Sequence, residues 1–103
     1  MHVQIIEALA EECHKNDIVT CLHKTKDNVD AWLLIKMDGH DFKIKIIDGE
    51  ISLMLRQCLH VDDLYHKSPY GKAYEVIKRF SLDDPQCFNY VISDLRKKWF
   101  LDL

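Results

Sequence analysis

Cys-Leu-His occurs twice in this chain, at Cys21-Leu22-His23 and at Cys58-Leu59-His60. On a β-strand, residues i and i+2 point to the same side. Each copy therefore presents a thiol and an imidazole together, and the two copies would complete a Cys₂His₂ zinc site, with ligands about 2.0–2.3 Å from the ion. The strand order argued below works against that. It places the copies on opposite edges of one sheet, three strand spacings or about 14 Å apart. Cysteine is also a common small buried apolar residue. The expectation is no metal and no cofactor, with Cys21, His23, Cys58 and His60 as the residues that would carry zinc if the sheet curled shut.

A second set is Tyr65, His66, Lys67, Tyr70 and Lys72, followed by Lys78 and Arg79. Rings interleaved with cations hold single-stranded nucleic acid, the rings stacking on bases and the cations neutralising phosphates. A loop that runs into an amphipathic helix has the same composition. The net charge of −3 and the nearby Asp62, Asp63, Asp83 and Asp84 count against a polyanion partner, since such proteins are usually basic.

Catalysis has less support. A nucleophilic cysteine needs a positioned base and an electropositive setting. Cys13 and His14 are neighbours on one helical pattern and point apart. Cys87 falls in the first turn of the last helix, where a thiolate is stabilised, but on the apolar stripe. Glu11-Glu12, Asp62-Asp63 and Asp83-Asp84 fit solvated faces and helix caps. The chain has no Gly-rich phosphate loop, no Gly-x-Ser-x-Gly and no His-Glu-x-x-His, the patterns that carry phosphate binding, acyl transfer and zinc hydrolysis. No catalytic residue is assigned, and the expectation is that the protein is not an enzyme.

The elements that must position these residues are set by Ala31 to Gln57. Here three apolar runs are separated by Asp38-Gly39 and Asp48-Gly49. Asp-Gly between alternating runs marks a two-residue hairpin turn, which needs positive φ at both positions. The first turn pairs Met37 with His40, Ile35 with Phe42 and Leu33 with Ile44. The second pairs Ile46 with Ile51, Ile44 with Leu53 and Phe42 with Leu55. The two turns agree on one sheet. One face is continuously apolar: Leu33, Ile35, Phe42, Ile44, Ile46, Ile51, Leu53 and Leu55. On the other, Asp41 lies between Lys36 and Arg56, a favourable cross-strand arrangement. A slip of one residue would exchange the faces, so the register is well specified.

Residues 3 to 15 read as a helix, with Ile6, Leu9, Ala10 and Cys13 at i, i+3, i+4 and i+7. Ile18 to Thr25 reads as a strand that places Leu22 opposite Leu33, and Val19, Cys21 and His23 beside Trp32. The fourth strand is expected to reach His60. Tyr70, Ala73, Tyr74, Ile77 and Phe80 follow a helical period, which predicts a short helix over 70–80. Asp84-Pro85 is a helix start, an N-cap followed by proline, and Phe88, Val91, Ile92, Leu95 and Trp99 make the stripe of a last helix. The fold class is α+β: a four-stranded antiparallel meander with an N-terminal helix and two C-terminal helices, α-β-β-β-β-α-α, in one domain over 1–103.

At 103 residues with 48% apolar and 30% charged residues, the chain can bury one real core. It has no apolar run of about 20 residues to span a membrane. Its acidic amphipathic start is not a signal peptide, and its cysteines read as reduced thiols, so the expectation is a cytoplasmic protein without a membrane partner. The second sheet face mixes Trp32, Leu34 and Met54 with Lys43, Lys45 and Arg56, with His23 at its margin. Either a C-terminal helix covers part of it or it is a docking face, since aromatic, Met and Arg residues are enriched in interface cores. Small acidic domains with one exposed sheet face often occlude another macromolecule, as immunity proteins do. The expected function is a protein-interaction domain, an inhibitor or adaptor, binding another protein or its own copy as a homodimer. Nucleic-acid binding through 65–79 is the alternative.

Overall fold

A computed structural model describes residues 2–37, 40–57 and 74–101. The order is α1 (His2–Lys15), β1 (Cys21–Lys24), β2 (Ala31–Met37), β3 (His40–Ile47), β4 (Glu50–Gln57), β5 (Glu75–Ser81) and α2 (Cys87–Leu101). The strands form one antiparallel meander in the order β1-β2-β3-β4-β5. The α+β class is therefore as the sequence implies.

The register follows the two hairpins residue for residue. Met37 pairs with His40, Ile35 with Phe42 and Leu33 with Ile44. Ile46 pairs with Ile51, Ile44 with Leu53 and Phe42 with Leu55. Leu22 pairs with Leu33, although β1 is shorter than the expected strand. At the second turn Asp48 has φ 52° and Gly49 φ 75°, the left-handed pair that a type I′ turn requires. A Cβ on Gly49 would meet nothing within 4 Å. Gly49→Ala should therefore cost only the backbone strain of that φ, about 1–2 kcal/mol in urea denaturation. A loss several times larger would mean that contacts, not backbone conformation, hold the turn.

One element differs. Residues 75–81 are a fifth strand, not the end of a helix, so among the described residues the sheet has five strands and one helix follows it. Residues 58–73, with the remainder of the expected 70–80 helix and the end of the fourth strand, lie outside the described residues. The physical reason is a bulge. Met54 pairs with Val76 but Leu53 with Lys78, which leaves Ile77 as an extra residue on β5. The bulge shifts the alternation by one, so the apolar positions imitate a helical period. With β5 outside it, β4 is an inner strand rather than an edge.

Both helices lie on the apolar face. Val3, Ile6, Leu9 and Cys13 of α1, and Cys87, Val91, Ile92 and Leu95 of α2, form one buried cluster with Leu33, Ile35, Phe42, Ile44, Ile46, Ile51 and Leu53. Helix α1 ends where the N–H of Ile18 donates to the carbonyl of Cys13 at 2.9 Å and Asp17 takes φ 61°, a left-handed C-cap. Before α2, the Asp84 carboxylate accepts the N–H of Gln86 at 2.8 Å, the capping role expected of Asp84-Pro85. Among the described residues no helix is long and apolar enough to cross a membrane.

Candidate functional site

With α1 and α2 on the apolar face, neither covers the second one. Strand alternation brings Trp32 and Leu34 of β2, Lys43 and Lys45 of β3, and Met54 and Arg56 of β4 together there. His23 joins from β1, opposite Trp32. All seven expected docking residues thus share one surface.

Its geometry is a set of cations seated on rings. The rings of His23 and Trp32 stack, with centroids 5.7 Å apart and planes 5° from parallel. The Lys43 ammonium lies between two rings, 5.4 Å from the centroid of Trp32 and 5.5 Å from that of Tyr74. Lys45 lies 5.7 Å from Trp32, and the Arg56 guanidinium 4.8 Å from Tyr74. These distances fall within the range of cation–π attraction, about 6 Å. Burial holds the Lys43 pKa below its ordinary value, repulsion from Lys45 adds to this, and Asp30 opposes it. Asp30 also pairs with Lys45 at 3.3 Å.

Beneath the cations is one buried carboxylate. Asp41 is 1% exposed and accepts from Arg56 Nη2 at 2.7 Å. Its other oxygen, and the hydroxyl of the equally buried Ser52, have no hydrogen-bond partner among the described residues. Lys36 flanks Asp41 on β2, and Arg79 lies opposite Ser52 on β5. The face is therefore basic, although the chain as a whole is acidic.

The nucleic-acid candidates divide. Arg79 falls on this face. Lys78 faces the other way, 3.1 Å from Asp94 of α2. Tyr65, His66, Lys67, Tyr70 and Lys72 lie outside the described residues. Tyr74 is a member that the docking set lacked. Its signal was present in the β-branched Val76 and Ile77 that follow it, and the bulge obscured it.

Of the zinc candidates, Cys21 and His23 share one side of β1, opposite Leu34 and Trp32, while Cys58 and His60 lie outside the described residues. Among the described residues no group of three or more His, Cys, Asp or Glu is placed to hold a metal. Cys13, Cys21 and Cys87 are free thiols. Burial, helped by Glu12, pushes the Cys13 thiol up to about 11. It is a neutral core residue at neutral pH and so a poor nucleophile.

The chain was compared with protein-family models, with curated proteins and with solved structures, and none of the three gave a match.

Proposed function

We propose that this protein is a small interaction domain, an inhibitor or adaptor, that docks onto an acidic surface of another protein through the second face of its sheet. The observation that carries this reading is the Lys43 ammonium held between Trp32 and Tyr74, with Lys45 and Arg56 seated on the same two rings. Cations fixed in this way lose little freedom when a carboxylate meets them, and preorganisation is what converts contact area into affinity. Complementary charge also sets register and the rate of encounter.

The same geometry favours protein over nucleic acid. A base needs an open ring to stack on, and here Trp32 is already flanked by His23, Lys43 and Lys45. A basic patch on an acidic molecule suits a local acidic patch better than a long polyanion, whose further charges would meet the acidic remainder of the chain.

The test is NMR titration at low salt with a short Glu-rich peptide carrying one Phe, and in parallel with oligodeoxythymidine. The peptide should shift the Trp32 indole N–H and the amides of Lys43 and Lys45. Lys45→Glu should weaken this about tenfold or more, and so should Trp32→Ala, with cooperative unfolding retained in both. Tighter binding of oligodeoxythymidine would overturn the reading in favour of nucleic acid. A stable dimer in light scattering that buries Trp32 would overturn it in favour of a second copy. Silence with both probes would remove the face as a docking surface, and so would loss of folding in Trp32→Ala together with unchanged binding in Lys45→Glu.

A further inference from the structure

On the opposite side of the molecule the core is unfinished. A cleft of about 530 Å³ opens between α1 and the turn that leads into α2. That volume falls within the range of small-ligand sites, about 300–1,000 Å³. Its walls are Ile5 of α1 and Leu82 and Phe88 across from it. All three are only partly buried, packed against the edge of the core cluster. One helical turn beyond Ile5, α1 carries the small, exposed Ala8 at the edge of the cleft.

The rim has one sign of charge. Glu11, Glu12 and Asp84 line the cleft, with no Lys, Arg or His lining it among the described residues. Glu12 reaches Lys15 at 3.5 Å, and Asp84 caps α2. Glu11 has no ion-pair partner among the described residues. An anion drawn to the start of α2 would meet the Asp84 carboxylate already there, and two more carboxylates across the gap. A neutral apolar molecule would leave them unused.

We propose that this cleft binds a small amphipathic amine: an apolar body about the size of one ring against Ile5, Leu82 and Phe88, and a protonated amino group at Glu11 and Glu12. This site is separate from the sheet face, so either proposal can fail without the other.

The probe is 2-phenylethylamine, titrated into the full chain and followed by methyl NMR, with 3-phenylpropionate as the analogue of opposite charge. The expected result is saturable shifts in the methyls of Ile5, Ala8 and Leu82, with a dissociation constant of about 1 mM, ordinary for a ligand so small. Glu11→Gln combined with Glu12→Gln should weaken binding about fivefold or more, at exposed or half-buried helix positions that the fold does not depend on. Ala8→Leu should narrow the cleft and weaken binding, read as smaller shifts of the Ile5 and Leu82 methyls at the same ligand concentration, while the rest of the spectrum stays that of a folded protein. Absence of saturable shifts would overturn the proposal. So would equal or tighter binding of 3-phenylpropionate, or shifts that persist unchanged in Ala8→Leu.

Discussion

Asp41→Ala should destabilise the protein by about 2–3 kcal/mol, less than the loss of about 3–5 kcal/mol when one partner of a wholly buried ion pair is removed, because the Arg56 side is partly solvated. Asp41 is 1% exposed, and its 2.7 Å contact with Arg56 Nη2 is short and charge-assisted. Taking the carboxylate away removes one partner of a guanidinium that is itself only 22% exposed. The pair need not add net stability over an apolar one, because bringing both charges out of water costs as much as their attraction returns. A double variant separates the two ideas. Asp41→Leu with Arg56→Met should recover most of what Asp41→Ala loses, as read in urea denaturation. Equal losses in the single and double variants would mean that side-chain packing at position 41, and not charge, is what matters.

Phe42→Ala should cost about 3–5 kcal/mol, by a different route. Phe42 is fully buried and sits between Ile35 and Leu55 in the middle of the sheet. Removing its ring takes away apolar burial and leaves a cavity that neighbours fixed on three strands cannot close. Phe42→Leu should cost less, because it leaves a smaller hole. Domains of this size hold together by about 5–15 kcal/mol in total, so Phe42→Ala is expected to lower the urea midpoint severely, with the slope unchanged. A loss below about 1 kcal/mol would be that of a peripheral residue and would contradict the burial. Asp41, Phe42 and Lys43 are consecutive, so this variant also serves as a control. If it still folds, its binding to the acidic peptide reports how rigidly the apolar face holds the basic one.

The parts of the fold legible in the sequence were those in which one turn dictates one register. Asp48-Gly49 has the positive φ pair its residue types call for, and that alone fixes which side chains of β3 and β4 share a face. The β1–β2 connection was harder. It has no diagnostic dipeptide, yet the Thr25 hydroxyl accepts the N–H of Asp30, the Asp27 carboxylate accepts the N–H of Val29, and Asn28 takes φ 60°. Side-chain hydrogen bonds of this kind shape loops without a fixed sequence pattern. The fifth strand was illegible because Ile77 is an extra residue, and a period of two with one insertion resembles a period near 3.6.

The same insertion explains what was seen of the site and what was missed. Trp32, Lys43, Lys45 and Arg56 lie on strands with intact alternation, so their common face could be read from spacing. Tyr74 lies beyond the bulge and could not. The partner of Lys43 that completes its ring sandwich therefore came only from three-dimensional pairing. The cleft near Ala8 also had no sequence signal, since a gap between two elements is visible only once both walls are in place.

The irregularity in β5 has a consequence for how the molecule behaves in a crowd. An outermost strand with a regular ladder of unused donors and acceptors invites another chain to add itself, and repeated addition makes fibres. Here that border is broken beside Ile77 and carries Lys78 and Arg79, while the opposite border, β1, is only four residues long. Local twist at the break turns the strand out of line with any newcomer. Among the described residues, the same residue that disguises the strand in the sequence also interrupts the ladder of the sheet's last strand, where a regular edge would favour stacking of further chains.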